Sequence, residues 1–266
     1  MDYRVSYVSV YEYEADVILN ENTLKIVPYD GDNQILLKHE VGTIPKGYMT
    51  FYRDIFHNIV YKVKVTEPHR RLEIFSYSEV KVDNKVIKTD YEFPYNYGFN
   101  EFLLPTKLVD PEPFNQIAKE VTKGLRTLGE VIEAIVKFVR GKISYKPGVT
   151  NINTTAYEAF KFGYGVCQDY THVTLAMLRA LGIPARYVMG VVNDNPRATH
   201  AWVEVLTPDG TFLDVDPTRN KFYNLGYIKF AIGRDFSDVS PVVGSFVSSG
   251  RGWLKEVKIE VKIRDS

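Results

Sequence analysis

Gly165-Val166-Cys167-Gln168-Asp169-Tyr170 holds the only cysteine in a chain of 266 residues. From Cys167 onward, Tyr170, Val173, Thr174, Met177, Leu178 and Leu181 recur at intervals of three and four, until Gly182-Ile183-Pro184 stops the pattern. The spacing predicts a buried helix with a C-terminal glycine and with the thiol in its first turn. Unpaired backbone N–H groups and the positive end of the helix dipole favour an anion there, so the position suits a thiolate. Position alone does not make a nucleophile, because a free cysteine more often behaves as a small buried hydrophobe. The neighbouring segments decide between these readings.

Ala185 to Val192 reads as a strand, and Arg197-Ala198-Thr199 leads into His200-Ala201-Trp202-Val203-Glu204-Val205. Ala201, Val203 and Val205 form one face of that strand, while His200, Trp202 and Glu204 point the other way. Asp209-Gly210 predicts a hairpin turn, after which Thr211 to Val215 returns as a strand ending at Asp216-Pro217-Thr218. Antiparallel pairing across this turn brings His200 and Asp216 together at the open ends of their strands. With Cys167 they form the arrangement a Cys-His-Asp triad needs: nucleophile, base, and a carboxylate that fixes the tautomer of the base.

Other side chains are weaker candidates. His172 lies five residues after Cys167 on the same helix, about 140° around it, and is expected to pack rather than to face the thiol. Asp214 shares strand parity with Asp216, so parity leaves both carboxylates open. Asp169 is expected to brace the helix start and to point away from the thiol, and Trp202 to form a wall covering His200. Arg234, Asp235 and Asp238 read as a loop fastened by ion pairs. His39, His57 and His69 occur singly and read as turn or surface residues. No paired spacing of metal-ligand type occurs, so neither a metal nor a cofactor is expected.

Upstream, Phe114 to Val121 and Leu128 to Val139 carry helical periodicity, and a short helix is predicted around Ala156 to Phe160. Between Thr89 and Pro113, four prolines stand among Tyr91, Phe93, Tyr95, Tyr97, Phe99 and Phe102, a connector too apolar to hang free. Before it, Tyr3, Val5, Tyr7, Tyr11 and Tyr13 share one parity, and short runs follow at 24–27, 35–41, 59–65, 72–77 and 80–82, separated by turn residues. This predicts an antiparallel β-sandwich or barrel. The expected class is therefore α+β, with an N-terminal β domain at 1–88, a connector at 89–113 and a catalytic domain at 114–266.

Basic and acidic residues balance at 33 each, so no charge excess points to nucleic acid or to an anionic membrane. No run approaches the ~18 apolar residues of a membrane span. A lone cysteine forms no intramolecular disulfide, and Met1-Asp2-Tyr3-Arg4 does not begin a secretion signal, so a cytoplasmic location is expected.

Gly165-Val166-Cys167-x-Asp169 with its helix, Leu181-Gly182-Ile183-Pro184-Ala185-Arg186, His200-Ala201-Trp202-Val203-Glu204-Val205 and Asp216-Pro217-Thr218 together closely resemble the transglutaminase-like superfamily of papain-type cysteine enzymes. Pro68-His69-Arg70-Arg71-Leu72-Glu73 and Gly233-Arg234-Asp235-Phe236-Ser237-Asp238-Val239-x-Pro241 look like the bacterial and archaeal branch with its own N-terminal β domain. The resemblance implies Cys167 as nucleophile, His200 as base and Asp216 as the third member, in preference to Asp214. It also implies acyl transfer through a thioester on a peptide or protein amide. Water as acceptor makes a peptidase or amidase, the favoured reading, because water needs no second pocket. An amine acceptor makes a transglutaminase, and a non-catalytic scaffold or binding module is the alternative from another class. The chain departs from the family in having Phe212 where many members have tryptophan. For the side chain stabilising the oxyanion, proximity offers Tyr164 and Gln168. Oligomeric state is left open.

Overall fold

The computed structural model describes residues 1–264. Strand β1 (Asp2–Val17) alternates as its tyrosine and valine parity requires, burying Tyr3, Val5 and Tyr7 and exposing Arg4. After β2 (Leu19–Leu24) come β3 (Gln34–Ile44), β4 (Tyr48–Arg53), β5 (Ile59–Val65) and β6 (His69–Val82). The runs at 72–77 and 80–82 are one strand, because Ser78 and Glu79 between them pair onward with Val5 and Arg4 of β1. Strand β4 was not foreseen. It is an edge strand, exposed along almost its whole length, and so shows no alternation. His69 is not a surface residue: it is buried at the start of β6, edge-on to Tyr13, with Nδ1 2.7 Å from the Glu67 carbonyl.

Two strands from the far end of the chain, β14 (Val242–Val247) and β15 (Gly252–Ile263), complete these sheets. β15 pairs antiparallel with β1, and β14 with β2, giving the orders β15-β1-β6-β3 and β14-β2-β5-β4. The sheets close on a core that includes Leu24, Val63, Leu72 and Ile74. The boundary drawn from sequence assigned 242–263 to the catalytic domain. Their mostly exposed faces hide the alternation of a half-buried strand, so nothing local marks them, and the unpaired edges of β1 and β2 take them.

The central region holds α1 (Asn115–Val121), α2 (Leu128–Lys142), α3 (Ala156–Phe162) and α4 (Cys167–Ala180). Thr127 and Glu130 form a capping box on α2, and Thr155 and Glu158 form one on α3, satisfying first-turn N–H groups that would otherwise be unpaired. A sheet of antiparallel pairs follows, ordered β12-β11-β10-β9-β13 and built from β9 (Ala185–Val191), β10 (His200–Leu206), β11 (Phe212–Asp216), β12 (Lys221–Phe222) and β13 (Ile228–Gly233). α4 is buried from Asp169 to Arg179 and shares a core with Ala201, Val203 and Val205 of β10. The opposite face of the sheet, with Val188 and Trp202, packs on Tyr29 and Phe56 of the N-terminal half and on Phe102 of the connector. The connector lies along the sheet, where Tyr91 donates to Asp209 and Tyr95 to the Leu206 carbonyl at 2.6 Å.

Strand β13 is an edge, and its outward backbone groups need partners. Two amide side chains from the N-terminal half supply them. Gln34 accepts from the Lys229 N–H at 2.9 Å and donates to its carbonyl at 2.8 Å. Asn58 does the same with Ile232, both bonds at 2.8 Å. Each amide acts as one rung of a missing strand. The two halves therefore meet along a hydrogen-bonded seam.

Candidate active site

Cys167 is the first residue of α4, His200 the first of β10 and Asp216 the last of β11. The hairpin register pairs Val203 with Val215 and Glu204 with Asp214, which sets Asp216 diagonal to His200. His200 Nε2 lies 2.8 Å from Asp216 Oδ2, leaving Nδ1 for the thiol side. Asp216 is fully buried, and its Oδ1 accepts the backbone N–H groups of Thr218 and Arg219, each at 3.0 Å. The turn after β11 thus folds back to hold the carboxylate. Burial opposes charge on His200, but its bond to Asp216, the neighbouring Cys167 and the negative charge of both outweigh that, and the imidazole is pushed up to about 9. Imidazolium is therefore the stable form at neutral pH.

The start of α4 is shaped by Asp169. As expected it turns back from the thiol, accepting the Val166 N–H and the Thr150 hydroxyl at 2.7 Å each. Burial raises the affinity of this carboxyl for a proton. Gly165 makes the fold-back possible, because a Cβ there would stand 2.5 Å from the Asp169 Cβ. The N–H of Cys167 is left among the unpaired donors of the first turn.

Trp202 stacks beside His200 with ring centres 6.4 Å apart and planes at 23°, and only 1% of it is exposed. The oxyanion candidates from the sequence lie apart from the cleft. The ring of Tyr164 sits under Lys146, and Gln168 donates to the Ile152 carbonyl at 3.3 Å. Neither lines the cavity of about 350 Å³ that opens over Cys167 and His200. Tyr145 does, from the two-residue strand β7 (Ser144–Tyr145), which pairs in parallel with β8 (Tyr164–Gly165). Burial and then the negative charge of Cys167 hold the Tyr145 phenol above its ordinary value. A two-residue strand carries no periodicity, and nothing in the sequence marked Tyr145.

Tyr227 was also missed. It is buried just before β13, edge-on to His200 at 5.9 Å, and its hydroxyl donates to Asp216 Oδ2 at 3.0 Å. Asp214 lies farther along the same face, opposite Glu204 and 3.2 Å from Lys85. His172 is fully buried and accepts the Phe236 N–H at 3.2 Å; burial pushes it down to about 4, so it stays neutral. Arg234 and Asp238 form the ion pair expected of their loop, at 2.9 Å, and Asp235 caps α5 (Phe236–Val239).

Residues 115–217 match the family model described as the transglutaminase-like superfamily, and residues 3–81 match the bacterial transglutaminase-like N-terminal region. The uncharacterized protein ML0607 of Mycobacterium leprae is 30% identical over 94% of both chains. The uncharacterized protein Rv2569c of Mycobacterium tuberculosis is 29% identical over 97% of this chain and 92% of its own. A solved structure from Cytophaga hutchinsonii, named "Putative Cysteine Protease", superposes with a TM-score of 0.86 at 22% identity, covering 100% of this chain and 91% of that one, and shares its fold. The chain belongs to the transglutaminase-like superfamily, in the group that carries the bacterial transglutaminase-like N-terminal region.

Proposed function

We propose that this protein is a cysteine-dependent acyl-transfer enzyme that cleaves an amide or peptide bond through a thioester, with water as the acceptor. One observation carries the reading: an imidazole held at Nε2 by a buried carboxylate stands beside a thiol at a helix start, at the floor of an open cleft. His200 already holds the thiol proton as imidazolium when Sγ, as thiolate, attacks the carbonyl carbon, and the oxyanion formed lies near the Cys167 N–H and, across the cleft, the Tyr145 hydroxyl. Collapse breaks the C–N bond, and His200 returns the proton to the departing amine. Water then attacks the thioester, giving its proton to His200, and collapse breaks the C–S bond, so the acid leaves as the thiolate and imidazolium re-form. The site calls for no group beyond these side chains. An acceptor amine in place of water would make the same thioester and a new amide.

The test is an activity-based thiol probe on the intact protein, followed by mass spectrometry of Cys167 adducts trapped from lysate. Acyl adducts that turn over to free acid support hydrolysis. Adducts released only by added amine point to transamidation. Persistent absence of adducts, together with alkylation of Cys167 that His200→Ala leaves unchanged, refutes acyl transfer and favours a scaffold.

A further inference from the structure

The Asp216 oxygen that holds His200 has a second claimant. Tyr227 donates its hydroxyl to Oδ2 at 3.0 Å, against 2.8 Å for His200 Nε2. The phenol oxygen in turn accepts from Arg219 Nη1 at 3.0 Å. Arg219 continues the chain to the cleft rim, gripping Asp194 with both nitrogens at 2.9 and 2.6 Å, and Lys221 adds a contact to the same carboxylate at 3.9 Å. Asp194 and Arg219 both line the cleft over Cys167. The path thus runs from rim to thiol as Asp194, Arg219, Tyr227, Asp216, His200, Cys167.

We propose that Tyr227 is a positioning residue of this site: by donating to the oxygen that also holds His200, it draws charge from that oxygen and restrains the proton affinity of the imidazole. This rests on the acyl-transfer reading, in which His200 must both give up and take back a proton. A purely structural role does not need the hydroxyl, since the ring alone packs on Trp202 and His200, at 5.4 and 5.9 Å. Nor is the hydroxyl needed to hold Asp216, because Thr218 and Arg219 already grip Oδ1 through their backbone N–H groups. What remains for it is the charge on Oδ2. Arg219 strengthens the effect, since a cation on the phenol oxygen makes the O–H a better donor. Burial, and then the charge of Asp216, hold the Tyr227 phenol above its ordinary value, so it keeps the proton it donates.

Several titratable and charged groups surround His200. Cys167 faces it from α4, Asp216 from β11 and Tyr227 from the approach to β13, with Tyr145 across the cleft, Arg219 behind Tyr227, and Asp194 and Arg197 along the cleft wall that leads into β10. Loss of the Tyr227 hydroxyl leaves Asp216 a stronger partner for the imidazolium, so the His200 midpoint rises.

The experiment compares the parent protein with Tyr227→Phe and Arg219→Gln. The His200 ring is titrated by NMR from about pH 6 to about pH 10.5, and alkylation of Cys167 by iodoacetamide is followed over the same range. In Tyr227→Phe the His200 midpoint is expected to rise from about 9 by about 0.5 to 1 pH unit, a fraction of what a hydrogen bond to a charged group is worth. The alkaline limb of alkylation should move with it, and Arg219→Gln should move both in the same direction by less. A midpoint that stays within about 0.2 unit, or that falls, overturns the inference. Failure of the acyl-transfer reading looks different: His200→Ala then leaves the parent alkylation profile unchanged, whatever Tyr227→Phe does to the His200 titration.

Discussion

Glu204 offers the sharpest test of how the two halves are fastened. It sits in β10 with none of its side chain exposed, and accepts from Arg186 Nε at 2.6 Å, Lys229 Nζ at 2.9 Å and Lys85 Nζ at 3.1 Å. Lys85 also reaches Asp214, and Asp32 bridges Arg186 and Lys229. The Arg186 guanidinium lies 3.6 Å over the Phe212 ring, and the charges balance as a set. Glu204→Gln keeps the shape and removes one negative charge, leaving a buried positive excess. Breaking a buried pair from one side costs about 3–5 kcal/mol, although replacing a whole buried cluster by apolar groups need not destabilise. With an unfolding entropy of about 0.5 kcal/mol/K for a chain of this size, the melting temperature should fall by about 6–10 °C. Because the cluster is buried, added salt should recover little of that loss. Thermal and urea unfolding of parent and variant, each at low and high salt, measure both effects. A loss under about 1 kcal/mol, or one that salt abolishes, would refute the claim that these charges are desolvated together.

Three further outcomes follow from the site. His200 has a folded value of about 9 against an ordinary 6.5, so the stability it draws from Asp216 is fully present below pH 6.5 and fades as pH rises through about 9. Melts across this range should show that decline in the parent and not in His200→Gln. Tyr145→Phe should lower kcat by about tenfold to a hundredfold with little change in KM, measured on an amide substrate found with the thiol probe; an unchanged kcat removes the hydroxyl from the oxyanion site. Gly165→Ala forces a Cβ to within 2.6 Å of Asp169 Oδ2, which should break the bond to the Val166 N–H, cost about 1–2 kcal/mol, and slow alkylation of Cys167.

The parts of this molecule that could be read from sequence are those whose partners are near in the chain. The period of α4 and the Asp209-Gly210 hairpin place Cys167 and His200 by local geometry, while the choice of Asp216 over Asp214 came from the family resemblance. Glu204 was assigned correctly to the face of His200 and Trp202, yet its partners Arg186, Lys229 and Lys85 come from three separate segments, which no local pattern joins. Gln34 and Asn58 look like ordinary polar turn residues until β13 is seen to need them. Tyr227 stands 60 residues after Cys167 by number, and its role depends on a hydroxyl direction that composition does not encode. The sequence did mark β14 and β15 weakly or not at all, because their exposed faces hide the alternation of a half-buried strand.

The N-terminal half can be argued to be part of the site's construction. Tyr227 precedes β13 directly, and β13 has β9 on one side and the amides of Gln34 and Asn58 on the other. Remove those amides and the backbone N–H groups of Lys229 and Ile232 and the Ile232 C=O lose their partners, while the Lys229 C=O keeps only the Tyr29 N–H at 2.8 Å. The strand that delivers Tyr227 to Asp216 would then keep, on its outer side, only that one backbone bond. Cys167, His200 and Asp216 each stand at an end of a packed element, where a side chain can leave the core without disrupting it. Such ends are also where elements fray, so their precision depends on what grips them from outside. Here the grip on Asp216 comes from the turn at Thr218 and Arg219 and from Tyr227, and the grip on Tyr227 passes through β13 to Gln34 and Asn58. By this route the β domain braces the imidazole from behind while remaining outside the cleft that the substrate would enter.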